Sequence, residues 1–207
     1  MRYVAHRGYS LEFPDNSVAA IRGALERKYS GVEIDIQLCR TGEIVLHHDV
    51  YVDDVFIKDS TINELREKGI VTLGDVYREV PDIRNTRLLL DIKGNDLKII
   101  NALKLFYATE STANVIFCSF NRSLLYSLPS EFRKGSTFET SFNVDEYDMI
   151  TRGLSAVLIH WTCLSHSFIT YCRFKDIEVY TYTHKEHMEL EYMSKFNVNF
   201  VITNGLA

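Results

Sequence analysis

The sequence feature that most constrains the fold is a repeated alternation. Short apolar runs of strand length recur along the chain, and most are followed by a helical pattern. RYVA (2–5), GVEIDIQL (31–38), EIVLHH (43–48), RLLLDIK (87–93) and NVIFCS (114–119) come first. GSTF (135–138), AVLIH (156–160), IEVYTY (177–182) and NFVIT (199–203) complete the set. Helix-period patterns predict helices over 16–28, 61–69, 72–80, 95–111, 121–128, 144–150, 165–174 and 185–196. Asn16 or Ser17 is the expected cap of the first, Asn95 or Asp96 that of the fourth, and Pro81 closes the third. EIVLHH returns from the second strand through an RTGE turn and reads as a hairpin extension of it. Setting it aside leaves eight strands separated by helices, apart from the more complex stretch at 49–86. That pattern predicts an α/β fold, a compact TIM (β/α)8 barrel in a single domain spanning 1–207. The rival is an open doubly wound sheet, which the absence of a Gly-rich nucleotide loop after the first strand disfavours. The chain leaves no room for a helix after strand eight. The barrel wall there needs a neighbouring helix or a partner subunit over it, and the second case predicts a homodimer.

In such a barrel the C-terminal strand ends face the active mouth. Strand one ends in His6 and Arg7, strand two carries Glu33 and Asp35, the hairpin returns with His47, His48 and Asp49, and strand three ends in Asp91 and Lys93. Residues two apart share a strand face, so Glu33 and Asp35 point together while Ile34 and Ile36 point away. Two inward carboxylates on an apolar strand are costly unless something positive binds them. That positive group is either a divalent cation or an internal ion pair with Arg7 or Lys93. Oxygen ligands of this kind suit Mg²⁺, Ca²⁺ or Mn²⁺, and Asp91 offers a third. His6 and His48 are the acid–base candidates, and Asp49 either orients a histidine or shapes the turn. His47 alternates with His48 and is expected to face away. His160 is placed at the mouth or on the surface, whereas His166, His184 and His187 read as helix or loop surface. Arg7 has the planar fork that holds a phosphoryl group. Cation, Arg, Lys and two histidines together describe phosphodiester hydrolysis better than glycoside or acyl chemistry.

Formal charge is −5 with no basic block, which argues against nucleic acid as a partner. No run of eighteen apolar residues occurs, and HRG interrupts the opening apolar run, so neither a membrane span nor a signal peptide is expected. Cys39, Cys118, Cys163 and Cys172 lack CxxC spacing and read as free thiols in a reducing, cytoplasmic setting.

HRG, PDNS, EIDIQ, TGEIVLHHD and LLLDIKG, in that order, resemble the glycerophosphodiester phosphodiesterase family. Weaker echoes are VTLGDV (71–76), SFNRSLL (119–125) and VITNG (201–205). The resemblance implies a TIM barrel that hydrolyses glycerophosphodiesters to glycerol 3-phosphate and an alcohol. It implies one divalent cation, Mg²⁺ or Ca²⁺, on Glu33, Asp35 and Asp91. It makes His6 and His48 general base and acid, and gives Arg7 and Lys93 the phosphate. The family's mechanism has the substrate's own glycerol hydroxyl attack phosphorus, after which water opens the cyclic phosphate. This chain departs from the family pattern in places. Asp91 stands where the family has Glu, and Thr203-Asn204 where it has Thr-Asp. Tyr182-Thr183-His184-Lys185 replaces an aromatic Trp-Thr-Val-Asn run, with Tyr182 keeping an aromatic wall for the substrate. No Arg follows His48-Asp49, and the covering segment 50–71 is short, which predicts an open pocket. Two alternatives stand beside hydrolysis of small glycerophosphodiesters. One is a phospholipase acting on lysolipid, phosphoinositide or sphingolipid headgroups. The other is a weakly active or inactive barrel that binds phosphodiesters or a protein.

Overall fold

The computed structural model describes residues 1–205. Its strands are β1 (Tyr3–His6), β2 (Gly31–Leu38), β3 (Ile44–Leu46), β4 (Tyr51–Val52), β5 (Val55–Phe56), β6 (Arg87–Ile92), β7 (Val115–Ser119), β8 (Lys134–Phe138), β9 (Ala156–His160), β10 (Glu178–His184) and β11 (Phe200–Thr203). Its helices are α1 (Val18–Glu26), α2 (Ile62–Glu67), α3 (Leu73–Glu79), α4 (Lys98–Phe106), α5 (Arg122–Ser127), α6 (Tyr147–Thr151), α7 (His166–Phe174) and α8 (His187–Met193). Eight parallel strands run in the order β1-β2-β6-β7-β8-β9-β10-β11, and β1 pairs with β11 to close the barrel. β3 pairs antiparallel with β2, as the hairpin reading expects, and β4–β5 forms a small separate ribbon. Among the described residues no helix follows β11.

The period of two along each strand sorts its side chains. Val4, Leu89, Ile116, Cys118, Leu158, Tyr180, Phe200 and Ile202 fill the barrel. The alternate residues, such as Ile34, Ile36, Leu88, Leu90 and Phe117, pack outward under the helices. At the N-terminal pole, Arg87 donates to Glu178 at 2.7 Å and to the Tyr180 hydroxyl at 2.8 Å. Arg2 and Arg87 also lay their guanidinium groups on the Phe200 ring, at 4.0 and 4.5 Å. These contacts plug the N-terminal end of the barrel interior.

Some boundaries move for local reasons. α1 starts after Ser17, whose Oγ accepts from the Ala20 amide at 3.1 Å. α4 is shorter than expected: Leu97 occupies its cap position, and the Asp96 side chain accepts from the Lys98 amide. β3 stops at Leu46, which frees His47 and His48 into a loop. β10 runs past Tyr182 to His184. The outward residues of β11, Val201 and Thr203, are 0% exposed in the single chain. At these positions the wall is covered within one chain, without a partner subunit.

Candidate active site

Parallel register assembles the acidic cluster. His6 lies opposite Glu33 across β1–β2, and Asp35 lies opposite Asp91 across β2–β6. Glu33, Asp35 and Asp91 are buried, and each offers an oxygen within 4.8 Å of the others. Lys93 continues the face of β6, with its ammonium 3.0 Å from Asp35 and 2.6 Å from Asp91. The Arg7 guanidinium is 3.1 Å from Asp35 and 2.9 Å from Asp15. Arg7 and Gly8 turn through positive φ, 57° and 79°, which aims the Arg7 amide at Glu33, 3.0 Å away. Gly8 is obligatory there, since a Cβ would lie 2.6 Å from the Ala20 carbonyl carbon.

Three close carboxylates cannot all ionise freely. Burial, reinforced by Asp35 and Asp91, raises the Glu33 carboxyl well above the usual range. Burial likewise raises Asp91. Burial pushes Asp35 upward too, but Lys93, the Asn16 side chain and Arg7 outweigh it and hold Asp35 low. Asp91 Oδ1 is buried without a hydrogen-bond partner. An all-oxygen donor set, an orphaned carboxylate oxygen and a carboxyl pushed toward its protonated form together fit a divalent cation.

His6 and His48 line the same cleft, about 390 Å³ in volume, with Arg7, Glu33, Asp35, Asp91, Lys93 and Tyr182. Every residue singled out in the sequence as catalytic, phosphate-holding or metal-ligating is thus brought together. Burial and the neighbouring Arg7 lower the His6 imidazole to about 4, against opposing contributions from Asn204 and Asp35. Its Nδ1 lies 2.6 Å from Asn204 Oδ1. His48 Nδ1 donates to Asp49 at 2.9 Å, so Asp49 does orient a histidine. His47 instead meets the Tyr51 carbonyl.

The opposite side of the cleft comes from β7 to β10. Phe120 and His160 meet the Tyr182 ring edge to face at 6.3 and 5.9 Å, with Thr137, Glu139 and Lys185 nearby. Tyr182 contributes its ring, because its hydroxyl donates to the Phe138 carbonyl. The 50–71 segment contributes nothing to the lining, in keeping with the expected open pocket. His184 is a correction: it is 0% exposed, with Nε2 on Thr181, because β10 extends over it.

Several supporting residues escaped sequence reasoning. Asn16 donates to Asp35 Oδ2 at 2.8 Å and accepts from the Asp35 amide at 2.9 Å. Gln37 donates to the carbonyls of His47 and Asp49, holding the loop that carries His48. Both lie inside PDNS and EIDIQ, so the motifs contained the signal. The contact between Asn204 and His6 had no local signal at all.

A family model described as the glycerophosphoryl diester phosphodiesterase family matches residues 6–207. A glycerophosphodiester phosphodiesterase of Caldanaerobacter subterraneus subsp. tengcongensis is 26% identical over 97% of this chain and 93% of its own length. Human glycerophosphodiester phosphodiesterase 1 is 30% identical over 60% of this chain, a match that spans 44% of the human protein. Among solved structures, glycerophosphodiester phosphodiesterase from Thermotoga maritima superposes with a TM-score of 0.87 at 23% identity, covering 99% of this chain and 95% of that one. An Oleispira antarctica phosphodiesterase in complex with the product sn-glycerol-3-phosphate gives 0.87 at 20% identity, covering 99% and 93%. These two likenesses are of fold.

Proposed function

The chain belongs to the glycerophosphoryl diester phosphodiesterase family, and on that premise we propose that it hydrolyses glycerophosphodiesters to glycerol 3-phosphate and an alcohol. The observation that carries this reading is one cleft lined by His6, His48, Arg7, Lys93 and the buried carboxylates Glu33, Asp35 and Asp91. Glu33, Asp35 and Asp91 would hold one divalent cation, Mg²⁺ or Ca²⁺, with Mn²⁺ also suited to the oxygen set. When bound, that cation would stabilise charge developing on the phosphoryl oxygens.

The remaining work falls to the chain's own side chains. Arg7 and Lys93 neutralise and orient the phosphate. Both are held by carboxylates at the cleft wall, so neither must be ordered at the moment of reaction. His6 takes the proton from the attacking hydroxyl, and its lowered basicity keeps the imidazole neutral and ready to accept at neutral pH. His48, oriented by Asp49, gives a proton to the leaving alcohol, and water then adds to the cyclic phosphate and opens it to glycerol 3-phosphate. The Tyr182 and Phe120 rings shape the far wall against the organic part of the substrate. The partner is thus a small molecule, and the four unpaired cysteines suit a reducing, cytoplasmic setting.

The test is product formation from glycerophosphocholine with each cation in turn. A His6→Ala variant is expected to fold normally and lose about 10²–10⁴-fold in kcat. Near-normal turnover by that variant would remove His6 from the mechanism. A second reading, a phospholipase working on lipid headgroups, draws on Val50, Tyr51 and Phe56, which are 43–52% exposed on the β4–β5 ribbon and its approach. Hydrolysis of lysolipid or phosphoinositide without hydrolysis of soluble diesters would select it.

A further inference from the structure

The family role of His6 leaves open which of its ring nitrogens faces the reaction, and the contact with Asn204 decides it. We propose that Asn204 is a positioning residue that holds His6 in the Nδ1–H tautomer, leaving the Nε2 lone pair directed at the cleft. The inference rests on the proposed role of His6 as general base.

Asn204 Oδ1 is 2.6 Å from Nδ1, while Nε2 lies 3.9 Å from Glu33 Oε2. An Nδ1–H therefore has an acceptor in line. Turning the Asn204 amide over would make it the donor to Nδ1 and put the ring proton on Nε2. That proton would face Glu33 from beyond hydrogen-bond reach on a side chain only 18% exposed. The first arrangement gives the ring proton an acceptor at 2.6 Å, and the second turns it toward Glu33, which lies beyond hydrogen-bond reach. A general base needs its lone pair, not its proton, toward the substrate.

Both partners are fixed in place. The Ser10 hydroxyl donates to the His6 carbonyl at 3.0 Å, and the Arg7 amide ties the next residue to Glu33. On the other side, Asn204 is followed by Gly205 at φ 132°, where a Cβ would lie 2.8 Å from Leu11 Cβ. The turn carrying Asn204 therefore packs directly on the loop that follows β1. Asparagine here supplies an acceptor without a charge. The tautomer is chosen by hydrogen-bond geometry alone, where a carboxylate would also favour the imidazolium.

The experiment reads the ring directly. In ¹⁵N-labelled full-length protein without metal at pH 8, His6 is expected to show a protonated Nδ1 and an unprotonated Nε2. Asn204→Leu, similar in size but without an acceptor, is expected to lose that preference. Its kcat should fall about 10–100-fold with KM changed far less, and Asn204→Asp should recover most of the loss. A wild-type ring protonated at Nε2, or an Asn204→Leu enzyme with wild-type kcat, would overturn the proposal. If Asn204→Leu fails to fold, the wild-type spectrum decides alone. If no diester is hydrolysed at all, the functional reading fails while the tautomer is still measured.

Discussion

At the scale of single residues, Glu33 ties stability to pH. Its folded carboxyl is raised well above the ordinary 4.5 by burial and by Asp35 and Asp91. The native state therefore holds a proton that the unfolded chain releases. This stabilisation is fully present below about 4.5 and is lost as pH rises through the raised value. Asp91 acts in the same sense. A divalent cation competes for the same oxygens, so its contribution grows as those protons leave. Mg²⁺ or Ca²⁺ is expected to raise Tm more at pH 8 than at pH 5. At a hundredfold excess over Kd the gain at the higher pH is about 2.7 kcal/mol, or about 5–10 °C for a chain of this size. Calorimetric scans giving equal shifts at both pH values would reject the cluster as the binding site. Asn16 supports the same cluster from the left-handed region, φ 56°, which asparagine tolerates better than most residues. Asn16→Ala removes both of its bonds to Asp35 and should cost about 1–3 kcal/mol in urea unfolding. A loss below that range would mean water replaces it.

At the scale of elements, α3 shows how local chemistry supports the site from a distance. Thr72 and Asp75 form a reciprocal cap: the Asp75 amide donates to Thr72 Oγ1 at 3.0 Å, and the Thr72 amide to Asp75 at 2.9 Å. Thr72 also bridges Val45 of β3, the strand that leads into the His47–His48 loop. Thr72→Ala is expected to lower stability by about 1 kcal/mol, measured by urea titration. Burial opposes ionisation of Asp75, but its bonds to Thr72 and Arg78 prevail and hold it at about 2. The stability it supplies is complete above its ordinary 3.8 and is lost as pH falls toward 2. Thr72→Ala should flatten that acid limb. The capping pattern and the strand alternation are written in neighbouring residues, so helices and strands were legible within a few positions. Glu33, Asp35, Asp91 and Lys93 were legible for the same reason, being two apart on apolar strands. His184 was misread because the apolar signal of β10 fades at Tyr182, while pairing with β11 carries the strand on to His184. Asn204 was noticed only as a departure from a pattern. Its partner is set by barrel closure, which no window of sequence contains.

At the scale of the molecule, that closure has two consequences. The outward residues Val201 and Thr203 of β11 are already buried within one chain. A dimer would require a different surface from the one the sequence suggested. The second consequence concerns the order in which the machinery comes into being. His6 and Asn204 lie 198 residues apart along the chain yet share one hydrogen bond, and β1 meets β11 only when the barrel shuts. On a ribosome His6 is made early and waits, unoriented, while every other strand is produced. Bringing such distant segments together carries the loop-closure cost that slows folding. Hydrolytic competence should therefore return during refolding later than helical signal does. A partly made or partly folded chain would carry most of the reactive groups without being able to use them.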